Sequence, residues 1–271
     1  MAMCETTRRV VLKLAGGAAL VAFAGAGSGR VGLAQEASPM ASPAGASGLN
    51  GNYVVIRLRT VKPDHSVDAL MALIQEGFIP LVTDIPGFRW YVTGANPETR
   101  VQFSVGVFAD AAGVAESTRR AAAWVGQGAA GFLDGEPTVY NGVIGVAAES
   151  SRAAATGSPE ASAPGGGLVG TYAVIRLRRP NPGWPVAEVL ARIGEGYVPL
   201  VREIPGFVAY LGSADPASGA QAYVGVFADK AGADESTRLA REWLAENAYD
   251  FFEGDPTVAE GVVGAAAAAA G

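Results

Sequence analysis

An internal direct repeat constrains this chain more than any other feature. Residues 49–147 align with 168–266 at a constant offset of 119, without a gap, and 49 of the 99 pairs are identical. A duplicated unit of about 100 residues has the size of an ordinary domain, and an ungapped copy predicts the same fold twice. The best-matched stretch, Tyr53-Val-Val-Ile-Arg-Leu-Arg59, returns as Tyr172-Ala-Val-Ile-Arg-Leu-Arg178. At the strand period of two, Val54, Ile56 and Leu58 share one face, and Tyr53, Val55, Arg57 and Arg59 share the other. The aliphatic row is the expected surface for packing under helices, which turns the arginines toward whatever covers the opposite face.

Each copy parses as βαββαβ. A helical pattern over 66–85 carries Val67, Leu70, Met71, Ile74, Phe78, Leu81 and Val82, with Pro80 (Pro199 in the second copy) inside it as a kink. Pro86-Gly87 stops that helix, strand two follows at 88–92 and strand three at 101–108. A second helix is expected over 111–133 with Trp124 as its core anchor, ended by Gly135-Glu-Pro137, and strand four over 138–145. A four-stranded antiparallel sheet with both helices on one face is the ferredoxin-like arrangement. Its other face must be covered, and two copies can cover each other. The expected fold class is therefore α+β: two tandem ferredoxin-like βαββαβ domains, 49–148 and 168–266, forming a pseudo-dimeric α/β barrel of two facing sheets. Further oligomerisation stays open.

The flanks differ in character. Arg8-Arg9, Lys13 and an Ala/Gly-rich apolar run over 1–34 resemble a twin-arginine export signal, departing from the usual motif at Val11. The run is too short and too interrupted to anchor well. This predicts a periplasmic or extracellular protein, free of the membrane once the signal is removed. Residues 35–48 and 149–167 are Ala/Ser/Pro/Gly-rich and read as flexible tethers. The alanine-rich end, 267–271, reads as a frayed tail.

Composition excludes several functions. The formal charge is −6, and the first 34 residues are net basic, so the remainder is more acidic still and a poor partner for nucleic acid. Cys4 is the single cysteine and lies in the signal segment, which leaves no disulfide, thiolate metal site or cysteine nucleophile. His65 is the single histidine, so no metal centre is expected.

The run Glu76-Gly-Phe-Ile-Pro80, then Ile85-Pro-Gly-Phe88, Val105-Gly-Val-Phe108 and Glu116-Ser-Thr-Arg119 with Trp124, resembles the antibiotic biosynthesis monooxygenase-like group of dimeric α/β barrels, and both copies carry it. The resemblance implies a cavity between sheet and helices as the active site. It also implies cofactor-independent oxygenation, haem degradation or no reaction at all, since the group includes each. Haem in tandem relatives is held by a histidine, for which only His65 could serve; no cofactor is expected.

The candidate site residues follow from shared parity. Arg57 and Arg176 are expected to stabilise an anion, or else to pair structurally with acids. Glu76 and Glu195, mid-helix, are candidate bases, or solvent-facing ion-pair partners. Tyr53, Tyr172, Arg59, Arg178, Tyr91, Tyr210, Gln102, Gln221 and Tyr223 share the arginine face and are candidate substrate-binding residues, or a polar interface between the sheets. The copies differ in places around the expected cavity: Arg89 becomes Val208, Ser104 becomes Tyr223 and Phe103 becomes Ala222. Two functions remain open on these residues. One is a cofactor-independent monooxygenase acting on a small aromatic or acidic molecule in the barrel cavity; the other is a non-catalytic small-ligand-binding or structural module.

Overall fold

A computed structural model describes residues 48–150, 166–248 and 250–269. The twin-arginine segment and most of both tethers lie outside the described residues. Eight strands form one closed antiparallel barrel. The first repeat supplies β1 (Tyr53–Val61), β2 (Phe88–Ala95), β3 (Val101–Phe108) and β4 (Leu133–Glu149); the second supplies β5 (Tyr172–Pro180), β6 (Phe207–Ala214), β7 (Gln221–Phe227) and β8 (Phe252–Ala268). Around the barrel the order is β1-β3-β2-β8-β5-β7-β6-β4. The expected pair of facing sheets is thus replaced by a single continuous one.

The two long strands explain the closure. The first part of β4 pairs with β1, from Leu133 opposite Val61 to Val143 opposite Tyr53; its last part pairs with β6, from Val143 opposite Ala214 to Glu149 opposite Ala209. β8 likewise pairs with β5 and then with β2. The alanine-rich end therefore does not fray at once. Ala265, Ala266 and Ala267 are buried, and Ala268 pairs with Trp90. Small side chains let the two backbones meet there. A Cβ on Gly261 would stand 2.2 Å from the Ala95 carbonyl oxygen, so only glycine fits.

The strand faces are reversed from the expectation. Val54, Ile56, Leu58, Phe103 and Ile175 point into the barrel and fill it, together with Tyr140, whose hydroxyl lies 3.0 Å from Ser213 Oγ. Tyr91, Phe108 and Val55 pack outward against the helices. The physical reason is that both faces of a barrel wall are buried, so aliphatic alternation cannot say which is inner. The guanidinium row needs polar partners, and the helix layer holds them.

The first helical arm is α1 (Val67–Leu73), a π-turn (Ile74–Phe78) and α2 (Ile79–Thr83). Ser66 caps it by accepting from the Ala69 amide. Pro80 sits at the start of α2, so the π-turn absorbs the hydrogen bond that proline cannot donate. The second arm, α3 (Ala111–Trp124), starts on an Asp110 cap and passes through a second π-turn, Val125–Ala129. It stops well short of 133. Gly135-Glu-Pro137 belongs to β4, where three residues face Arg59 alone across a bulge, a place a sheet tolerates proline. The second repeat matches with α4 (Val186–Arg192), α5 (Val198–Arg202) and α6 (Lys230–Asn247). Among the described residues no helix is long and apolar enough to cross a membrane.

On α3, Glu116 accepts from Arg119 Nε at 2.8 Å and from Arg120 Nε at 2.7 Å. Arg120 also reaches Asp84 beyond α2 at 3.1 Å. Hydrogen bonds from Arg119 and then Arg120 hold the Glu116 carboxyl down to about 2 from 4.5. A depressed carboxyl contributes stability that is complete above its unfolded value and is lost as pH falls through the folded one. Wild type and Glu116→Gln should therefore differ in Tm by a constant, small, salt-sensitive amount above about pH 5. The gap should close between there and pH 2; a gap unchanged at pH 2 would exclude this linkage.

Candidate functional site

The row that carries the arginines faces α1–α3 across the barrel wall, and a cavity of about 230 Å³ opens between them. Arg57, Arg59, Tyr91, Gln102 and Ser104 line it from the strands. Phe78, Thr118 and Trp124 line it from the helices, and Glu136 lies at its rim on the β4 bulge. The π-turn brings the helix close: a Cβ on Gly77 would lie 2.8 Å from Trp124 Nε1. Trp124 is half-buried and part of the cavity wall rather than a closed core anchor.

Arg57 is the unusual group. It is only 6% exposed, yet no carboxylate pairs with it among the described residues. Its Nη2 donates to Thr118 Oγ1 at 2.8 Å and to Ser117 Oγ at 3.4 Å. Burial lowers its affinity for a proton, partly opposed by Tyr91; a guanidinium is a cation at any working pH all the same. A buried charge compensated by neutral hydroxyls alone is costly. Tyr91, beside it, is pushed above its ordinary value by burial, against the pull of Arg57. Gln102 Nε2 donates to Thr93 Oγ1 and to the Phe103 carbonyl, both at 2.8 Å. Arg59 is half-exposed and donates to the Gly135 carbonyl at 3.2 Å.

The equivalent place in the second repeat is nearly full, with about 30 Å³ left. Arg176, Arg178, Tyr210 and Tyr223 are all there. Larger side chains take the space: Tyr223 for Ser104, Phe252 for Leu133, Tyr197 for Phe78 and Leu244 for Val125. Arg176 donates to Thr237 Oγ1 at 2.5 Å, and the Arg178 guanidinium lies 5.0 Å from the Phe252 ring centre.

Several expected site residues stay outside. Glu76 and Glu195 are exposed and line neither cavity, because each lies on the outer side of its π-turn. Tyr53 and Tyr172 sit at the start of their strands, away from the cavities; Tyr172 donates to Glu260 at 3.4 Å. His65 packs against Phe132 with the rings tilted by 39° and their centres 4.5 Å apart, and it lines neither cavity. Gln221 is fully buried beneath the second cavity, where it accepts from Tyr223. Phe78, Thr118, Leu133 and Glu136 also line the first cavity and lie outside the strand-face pattern. A comparison of the repeats at offset 119 marks Phe78 and Leu133 by their size change.

Among solved structures, a candidate monooxygenase from Fusobacterium nucleatum is similar over 82% of this chain and 96% of its own, at 12% identity and a TM-score of 0.59. A candidate monooxygenase from Lactobacillus acidophilus (10% identity, 80% and 95% covered, TM-score 0.54) and an anthrone oxidase-like protein (13%, 82% and 95%, 0.55) are similar in the same way. These likenesses show a shared fold, an antiparallel barrel with helices packed on its outside. No protein-family model matches the chain, and no curated protein does either.

Proposed function

We propose that this protein is an exported, antibiotic biosynthesis monooxygenase-like enzyme that oxygenates a small aromatic molecule without a cofactor, in the cavity of its first repeat. The strand order β4-β1-β3-β2 in one half and β8-β5-β7-β6 in the other supports reading the chain as two tandem ferredoxin-like units fused into a pseudo-dimer. The twin-arginine segment supports export to the periplasm or beyond.

The observation that carries the reading is the buried Arg57 guanidinium, which has no acidic partner among the described residues and faces an open cavity. A substrate anion supplies the missing charge. Its negative charge develops as a proton leaves, and a preorganised donor in a dry site stabilises that charge most. Glu136 is the carboxylate that lines the cavity and takes the proton; Glu76 is not placed to do so. The carbanion or phenolate then reduces oxygen itself. One oxygen atom enters the substrate as a new carbonyl and the other leaves as water, the electrons coming from the oxidised carbon. At about 230 Å³ the cavity falls below the ~300–1,000 Å³ of drug-sized ligand sites, which favours a small substrate.

An oxygen electrode with a panel of small hydroquinones and activated phenols tests this. Protein-dependent uptake is expected, with label from ¹⁸O₂ in the product. No uptake from any member, with ligand binding intact, would leave a binding module instead.

A further inference from the structure

The second repeat carries a phenol of its own where the first has open space. Position for position, Tyr223 stands for Ser104 and Gly212 for Thr93. The two exchanges fit together, since a Cβ on Gly212 would lie 2.7 Å from Val146 Cγ1 and 3.0 Å from Cδ1 and Cε1 of the Tyr223 ring. The glycine makes room for both side chains. Losing the threonine has a cost: Gln221 Nε2 is buried with no hydrogen-bond partner among the described residues, whereas Gln102 Nε2 has Thr93 and Phe103. A stranded amide donor is unfavourable, and the seating of the ring offsets it. Tyr223 stacks on Tyr210 at 6.5 Å, meets the Phe252 edge at 5.9 Å, and donates its hydroxyl to Gln221 Oε1.

The first cavity keeps the polar and aromatic parts of this seat and lacks the ring. Tyr91 corresponds to Tyr210, Gln102 to Gln221, and Arg57 and Arg59 to Arg176 and Arg178. Gln102 uses its amide hydrogens on Thr93 and Phe103, so Oε1 is left as an acceptor with no donor among the described residues. We infer that the first cavity takes a free single-ring phenol, stacked on Tyr91 with its hydroxyl on Gln102 Oε1, and that Tyr223 is the resident occupant of the same seat in the second repeat. This rests on reading the cavity as a ligand site and narrows its ligand to a phenol. It also fixes the capacity at one ligand per chain.

The probe is p-cresol, which is the tyrosine side chain without its backbone. Calorimetric titration of the whole chain should give one site. The pair Thr93→Gly with Ser104→Tyr writes the second repeat's occupant into the first, and should weaken binding at least 100-fold with Tm retained. Tyr223→Ser empties the other seat and should raise the count to two, which keeps the test alive if the first variant does not fold. Wild type that binds no p-cresol, or a folded Thr93→Gly/Ser104→Tyr protein that binds it undiminished, would overturn the inference. The two readings fail separately. Binding without oxygen uptake removes catalysis and leaves the seat; uptake from non-phenolic substrates, with no p-cresol binding, does the reverse.

Discussion

Arg57→Met should lose oxygen uptake by about 10²–10³-fold, the range seen on removing one anion-stabilising donor, while the protein becomes no less stable. The sign on stability is the informative part. Arg57 is 6% exposed and is held by Thr118 and Ser117 hydroxyls rather than by a carboxylate. A buried ion pair can often be replaced by apolar side chains with no loss of stability, and a buried guanidinium held by neutral hydroxyls has less attraction to lose. If the guanidinium were there to hold β1 against α3, the same change would lower Tm. Arg176→Met is the internal control. Its cavity is filled, so it should share the stability effect and leave uptake unaltered. Tm and oxygen consumption on the same preparations decide the matter, and a fall in Tm with Arg57→Met would remove the case for an anion site.

A chain ended after Gly264 should be severely destabilised. The lost segment holds Ala265 to Ala268, which pair with Thr93, Val92, Tyr91 and Trp90. Four ladder positions at about 1 kcal/mol each come to roughly 4 kcal/mol, a large share of the ~5–15 kcal/mol that typically holds a domain. The deletion also exposes one edge of β2, the strand that carries Tyr91, so ligand binding should fall with stability. Urea unfolding followed by tryptophan fluorescence reads the midpoint. An unchanged midpoint would mean that these alanines are dispensable to closure.

Much of the architecture could be read from the repeat and from strand periodicity, and the places where reading failed share a cause. The co-facing of Arg57, Tyr91 and Gln102 was visible because side-chain alternation is a local property. Which way that face pointed was not visible, because Val54 and Val55 are both fully buried and the wall of a barrel has no wet side. The alanine run after Gly264 looked like low complexity, yet small side chains suit a strand that lies against another backbone. Helix α3 is shorter than its sequence suggests because the apolar period runs on through a π-turn into the bulge of β4. For Glu76 and Glu195, a place along a helix does not give the azimuth, which the π-turns set.

Joining the two halves by one covalent chain has a consequence beyond closure. In a barrel made by two identical subunits, every substitution is made twice, once on each side of the axis. A tyrosine that fills one cavity would fill both, and a glycine that makes room for it would loosen both walls. Here the β2–β8 and β4–β6 seams unite halves encoded separately, so Tyr223 and Gly212 can occupy one side while Ser104 and Thr93 hold the other open. Fusion breaks the symmetry, and one half is released to brace the structure that the other half uses.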